Sequence, residues 1–208
     1  MTIAVIDYDA GNTANVLRAL EKLGVTAVLT ADQTVIKAAD GIILPGVGAF
    51  PTAMAELEKR DLITSLKTAV AGGIPLLGIC LGMQLLLDAS EEHRFTEGLG
   101  LIPGTCRPIP TRKGLKVPHM GWNNLNVHRD TMLTKGLQGN YVYFVHSYFT
   151  DVANPFLDAT ADYGLALPAM ISHGHVYGCQ FHPEKSGDVG LGILENFKEI
   201  VYANTTSN

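Results

Sequence analysis

Two short stretches carry side chains that could do covalent chemistry. The first is Gly78-Ile79-Cys80-Leu81-Gly82, which follows the apolar run PLL. It has the form G-x-C-x-G, the pattern of a nucleophile elbow with cysteine in the serine position. A sharp strand-to-helix turn strains the backbone at the central residue, and flanking glycines relieve the crowding. The side chain then projects at the carboxyl end of the sheet, where α/β proteins bind ligands. The N–H groups of the following helix point at the site, favouring thiolate over thiol and offering donors to an oxyanion. On its own the pentapeptide serves equally well as a glycine-rich packing corner for a small buried cysteine. A base must accompany it.

The stretch FHPEK, residues 181–185, supplies one. His182 closes the run VYGCQF, a predicted strand. Pro183 has no N–H to offer a ladder, so pairing stops there and the imidazole faces a cleft. Glu184 lies two residues on. In an extended segment residues i and i+2 share a side, so the carboxylate can hold the imidazole in one tautomer. Cys80, His182 and Glu184 then read as nucleophile, base and orienting group.

The elements around these stretches fit that reading. Strands are expected over 3–7, 26–30, 41–44 and 75–78, alternating with a helix over 12–23 and a helical segment over 50–71 that breaks near Asp61. Near-continuous apolar strands alternating with helices imply a parallel sheet covered on both faces. From Thr105 onward short β-like runs dominate, among them VPHMGWNNL, YVYFVHSYF, PAMISHG and HVYGCQF. A closing helix is expected over 191–202, with the polar end NTTSN fraying. The fold expected is a single-domain, Rossmann-like α/β mixed sheet flanked by helices, over residues 1–204, with a polar tail at 205–208.

Composition narrows the function. Apolar residues make up 47% of 208, and 15 basic against 20 acidic residues leave a net charge of −5. That is not the footprint of a nucleic-acid binder, and no apolar run is long enough for a membrane span. Three cysteines, Cys80, Cys106 and Cys179, without paired spacing suggest a reducing, cytoplasmic setting rather than a disulfide scaffold. The opening MTIAVIDYDAGN lacks a basic region and reads as a first strand, not a signal peptide. His173, His175, Cys179 and His182 have a superficially ligand-like spacing. However, His173 and His175 straddle Gly174 at a predicted hairpin turn, and no second cysteine pair completes a zinc set. No metal and no cofactor are expected.

GICLGMQLL and QFHPEKS resemble the two hallmark motifs of the class I glutamine amidotransferases, and the likeness covers essentially the whole chain. Within that class, VIDYDAGN, LPGVGAF and PHMGWN resemble the family of glutaminase subunits of imidazole glycerol phosphate synthases. The resemblance implies that Cys80 attacks the side-chain amide of L-glutamine, that His182 moves the proton, and that Glu184 holds His182. It implies an oxyanion site made by the N–H of Leu81 and by the PGVG segment, at Val47 and Gly48. For holding glutamine it points to Gly48, Gln84, Glu92, His146, Ser147 and Tyr148, with Glu91 adjoining Glu92.

The resemblance also implies a partner. A separate (β/α)8-barrel cyclase subunit forms a heterodimer with the glutaminase and consumes its ammonia. Its products are imidazole glycerol phosphate and an aminoimidazole carboxamide ribotide, in histidine biosynthesis. Candidate interface residues are Asn12, His119, Met120, Trp122, Asn123 and Lys185. Trp122, the one tryptophan, reads either as an interface anchor or as a core residue. Three competitors stay open at this point: a glutaminase serving anthranilate, aminodeoxychorismate or pyridoxal phosphate synthesis, a cysteine peptidase on a related fold, and a non-catalytic binding module.

Overall fold

A computed structural model describes residues 1–206. The first half alternates as expected: β1 (Thr2–Ile6), α1 (Thr13–Lys22), β2 (Thr26–Thr30), α2 (Gln33–Ala38), β3 (Gly41–Leu44), α3 (Phe50–Lys59), α4 (Leu62–Ala71) and β4 (Leu76–Ile79). β1 pairs in parallel with β2 and β3, and β3 with β4. Every residue of β3 and β4 is buried, as strands with helices on both faces must be. The break between α3 and α4 falls at Asp61, whose φ of 55° ends one helix and starts the next. The six-residue α2 was not expected. Its signal was Asp32, whose carboxylate accepts from the N–H groups of Thr34 and Val35 as an N-cap.

The second half holds α5 (Leu81–Leu85), β5 (Leu87–Ser90), β6 (Thr96–Glu97), β7 (Ile102–Pro108), β8 (His119–Asn124), β9 (Asn126–Val127), β10 (Tyr141–His146), β11 (Tyr148–Asp151), β12 (Leu157–Asp162), β13 (Ala166–His173), β14 (Val176–Cys179) and α6 (Gly187–Thr206). The main sheet has eight strands in the order β2-β1-β3-β4-β14-β13-β12-β9. β14 returns parallel to β4, while β13 and β12 run antiparallel. A four-strand sheet, β11-β7-β5-β6, and the pair β10-β8 complete the molecule. One apolar layer packs α1 and α6 against the sheet through Val16, Leu20, Ile193, Leu194 and Phe197. The other packs α3, α4 and α5 through Phe50, Leu57, Leu62, Leu66 and Met83.

Three expectations need correction. The stretch Gly78 to Leu87 reads from its sequence as strand, turn and helix, but the helix after Cys80 is only five residues long and Leu87 already opens β5; the buried triplet Leu85 to Leu87 reads the same in helix or strand. The run YVYFVHSYF is two strands, not one: β10 pairs with β8 and β11 with β7, so the chain changes sheet at Ser147. The closing helix runs through residues 187–206 rather than 191–202. Thr205 and Thr206 lie inside it, their hydroxyls donating to the carbonyls of Tyr202 and Ala203, so the expected tail boundary after 204 falls within a helix. Ser207 and Asn208 lie outside the described residues. No helix among the described residues is long and apolar enough to cross a membrane.

Candidate active site

The pairing of β14 with β4 builds the site. Cys179 is in register with Ile79, and the Cys80 N–H donates to the Cys179 carbonyl at 2.8 Å. The two strands therefore end side by side, one delivering Cys80 and the other His182. Cys80 has φ 55° and ψ −112°, the strained corner that the G-x-C-x-G pattern predicts. Both flanking glycines are sterically required. A Cβ on Gly78 would sit 2.7 Å from the carbonyl carbon and oxygen of Gly82, and one on Gly82 would sit 1.8 Å from the Leu44 oxygen. Gly82→Ala should therefore cost at least about 3 kcal/mol, since two backbones must separate to admit one methyl. Chemical denaturation of the variant against wild type checks this.

His182 is 2% exposed. Its N–H donates to the Tyr143 carbonyl at 3.0 Å, and the Ser186 hydroxyl donates to its carbonyl at 2.6 Å. Nδ1 lies 2.7 Å from Glu184 Oε1. The expected contact is present, but its geometry differs. Residues Pro183–Lys185 form a 3-10 turn, not an extended segment, and the tight turn brings the carboxylate back onto the ring. Burial works against the imidazolium, yet the Cys80 sulfur, as an anion, and the Glu184 carboxylate outweigh it and push the His182 pKa up to about 9. Nε2 is buried with no hydrogen bond of ordinary geometry. It is the ring nitrogen left to exchange a proton, and such contacts are commonly loose before substrate binds.

A cavity of about 460 Å³ opens over these groups. Of the residues singled out in the sequence, Val47, Gly48, Cys80, Leu81, Gln84, Glu92, His146, Ser147, Tyr148, His182 and Lys185 line it, joined by Pro118 and Val145. Glu184 stands behind His182. Glu92, not Glu91, faces inward: it is 7% exposed and its Oε2 accepts from the Phe50 N–H at 2.8 Å. Glu91 lies outside, 3.9 Å from Arg107. Gln84 Nε2 donates to the Tyr148 carbonyl at 3.1 Å and to Gln180 Oε1 at 3.0 Å.

His146 in the cavity wall and His119 behind it are neutral. Burial pushes His146 down to about 3 and His119 down to about 4. His146 Nδ1 donates to the Tyr148 carbonyl at 2.8 Å. Nε2 must then accept from His119 Nδ1 at 2.9 Å, while Asn123 Nδ2 reaches His119 Nε2 at 3.3 Å and the Asp162 carbonyl at 2.8 Å. His119 is 2% exposed and stacks on Phe144, so it backs β8 rather than forming part of its outer surface. Met120 and Trp122 are on that surface, 60% and 57% exposed, which answers the question of whether Trp122 is a core residue. Asn12 is half-buried at the start of α1, and Lys185 is exposed at the cavity rim.

The two N–H groups expected to serve an oxyanion are both occupied. The Leu81 N–H donates to the Gly46 carbonyl at 3.3 Å, and the Val47 N–H donates to the Ala10 carbonyl at 3.3 Å. The Gly46–Val47 peptide thus turns its oxygen, not its N–H, toward Leu81. Tyr8, which the sequence reading passed over, fixes the base of this segment: its buried hydroxyl donates to the Pro45 carbonyl at 2.7 Å. A Cβ at Gly46 would lie 2.5 Å from that hydroxyl, and Gly48 has φ 102°, so both glycines of PGVG meet local demands. His173 and His175 do flank a hairpin turn, with Gly174 at φ 58°. Among the described residues no group of three or more His, Cys, Asp or Glu is placed to hold a metal ion.

Known proteins resemble this chain closely. The family model for glutamine amidotransferase class-I matches residues 4–200. The imidazole glycerol phosphate synthase subunit HisH of Streptococcus sanguinis (strain SK36) is 67% identical over 201 residues, covering 97% of both chains. The protein of the same name from Listeria monocytogenes (serovar 1/2a, strain EGD-e) is 53% identical over 201 residues, again covering 97% of both. Two solved structures share the fold: a glutamine amidotransferase, TM-score 0.77 at 19% identity, and PurLQS from Thermotoga maritima, TM-score 0.75 at 18% identity. Each alignment covers 96% of this chain and 98% of the other. With a family match spanning residues 4–200 and relatives alike from end to end, the chain belongs to the class-I glutamine amidotransferase family.

Proposed function

We propose that the chain is the glutaminase subunit of an imidazole glycerol phosphate synthase. It hydrolyses L-glutamine to glutamate and ammonia and passes the ammonia to a cyclase subunit in histidine biosynthesis. The observation that carries this reading is the register of β14 on β4, which opens Cys80 and a Glu184-held His182 into one cavity. Full-length identity of 67% to a curated subunit of that synthase supports the choice of pathway over the chorismate, peptidase and non-catalytic alternatives.

The chemistry follows from the groups present. With its proton already held by His182, whose pKa is about 9, the Cys80 sulfur adds as a thiolate to the side-chain amide carbon of glutamine. His182 then protonates the departing nitrogen, the C–N bond breaks, and ammonia leaves a γ-glutamyl thioester. Water, deprotonated by His182, cleaves the thioester to glutamate and restores the thiol. Glu184 keeps Nδ1 protonated and stabilises the imidazolium between these transfers. The Glu92 carboxylate suits the α-ammonium of glutamine, and the Ser147 and Tyr148 hydroxyls suit its α-carboxylate. Glu184→Gln should lower kcat by about 10²–10⁴-fold with little change in KM, because the amide can present the wrong group to Nδ1. Steady-state assay of glutamate release checks it.

The partner is a (β/α)8-barrel cyclase, met through the exposed Met120 and Trp122, with Asn12, Asn123 and Lys185 as further contacts. His119 supports that strand from beneath. The catalytic domain extends from the first strand to the end of α6. The cytoplasm is the compartment we assign, in keeping with three buried cysteines that form no disulfide. The decisive experiment mixes the purified chain, the cyclase subunit and its nucleotide substrate, and follows glutamate and imidazole glycerol phosphate together. Equimolar formation supports the reading, and glutamine hydrolysis that never feeds the cyclase overturns it.

A further inference from the structure

Gln180 is fully buried between Cys179 and Phe181, where packing alone would select an apolar side chain. A buried carboxamide is costly unless its atoms are partnered. Its Oε1 accepts from Gln84 Nε2 at 3.0 Å, and its Nε2 lies 3.9 Å from Cys80 Sγ. The orientation of both amides is dictated by their surroundings. The Tyr148 carbonyl can only accept, and Gln84 meets it at 3.1 Å, so Gln84 must present its NH2 there. The same NH2 faces Gln180, which must present its oxygen in reply. The Gln180 NH2 is therefore turned toward the sulfur.

The sulfur lies between one acceptor and one donor. The Val145 carbonyl is 4.0 Å away and suits an S–H, while Gln180 suits a thiolate. Of the titratable groups that interact with Cys80, Tyr8 and Cys179 are pushed up by burial and stay neutral, which leaves His182 as the cation. Gln180 adds a donor that does not titrate. It lies directly after β14, on the short segment that leads from that strand to His182.

Resting on the glutaminase reading above, we propose that Gln180 is a positioning residue. Its carboxamide N–H holds the Cys80 sulfur as a thiolate, and its oxygen ties that hold to Gln84 in the glutamine pocket. The N–H···S contact is long in the resting protein and shortens as the sulfur gains charge, since hydrogen bonds to ionised acceptors are shorter and stronger.

The test uses Gln180→Met, which keeps length and removes both donor and acceptor. The pH profile of Cys80 alkylation by iodoacetamide is read without glutamine, so the result stands even if the proposed pathway is wrong. A folded variant should show the profile midpoint moved up by about one pH unit. In the complex with the cyclase, kcat for glutamine should fall tenfold or more while KM changes less than threefold. A folded variant with an unmoved profile overturns the proposal, as does a raised KM with kcat intact, which would make Gln180 a pocket wall. If the variant does not fold, wild-type chain labelled with ¹⁵N at the side chains of its four glutamines, Gln33, Gln84, Gln138 and Gln180, decides the matter. The Gln180 amide resonance should move at the same pH midpoint as alkylation and lose that movement in Cys80→Ala. A resonance that ignores the titration overturns the proposal.

Discussion

Cys80→Ala is expected to lower glutamine hydrolysis by about 10⁴-fold or more, while the complex supplied with an ammonium salt goes on making imidazole glycerol phosphate. No other described group can replace the sulfur. Cys106 and Cys179 are fully buried and outside the cavity, and burial pushes Cys106 up to about 12 and Cys179 upward too. Removing a catalytic nucleophile leaves only what oxyanion donors and substrate positioning provide. Fold damage does not account for the loss: Cys80 is buried in the core, but its polar contacts are long, 3.9 Å to Gln180 Nε2 and 4.0 Å to the Val145 oxygen, and truncating one sulfur should cost about 1 kcal/mol. The two activities are measured on one preparation, as glutamate released from glutamine and as product formed from ammonium. Retained hydrolysis would remove Cys80 from the mechanism, and loss of both activities would indicate that the complex had come apart.

The site was legible where backbone geometry restricts the choice of residue. Gly78 and Gly82 cannot be anything larger, because a Cβ at either would collide with backbone atoms, so the elbow was readable from five residues. Pro183 marked the end of the β-like run, and although β14 already stops at Cys179, His182 stands just beyond it where the chain turns toward the cavity. What could not be read was which strand lies beside which. That β14 returns next to β4, bringing Gln180 and His182 to Cys80, is a pairing across about a hundred residues of chain, and no local pattern encodes it. Gln180 left one signal, a carboxamide in an otherwise apolar strand end, and the run VYGCQF hid it. Tyr8 is similar: its role depends on the Pro45 carbonyl 37 residues away. His119 opens a β-like run of mixed polarity, whose pattern did not say which face is covered; packing against Phe144 and His146 buries it.

The second large effect concerns the oxyanion groups, and it follows from two hydrogen bonds made by one peptide. In this structure the Gly46 oxygen takes the Leu81 N–H, and the Val47 N–H is held by the Ala10 oxygen. A tetrahedral intermediate would therefore meet a carbonyl where it needs donors. Rotation of the Gly46–Val47 peptide corrects both faults together, freeing Leu81 and turning the Val47 N–H inward. Oxyanion donors typically contribute about 10²–10³-fold each. Two bonds of 3.3 Å hold the unrotated form, and the rotated form is expected to be the minor one at rest. Turnover by the isolated chain should thus be at least about 10²-fold slower than turnover in the complex with the cyclase and its bound substrate, a population shift of roughly 3 kcal/mol. The change should fall mainly on kcat, because the pocket groups Glu92, Ser147 and Tyr148 lie elsewhere in the cavity. Amide resonances of Val47 and Leu81 should move in concert as the complex is loaded, since one peptide governs both. Equal turnover with and without the loaded partner, or a Leu81 amide that shifts while Val47 does not, would show that this peptide is not the switch.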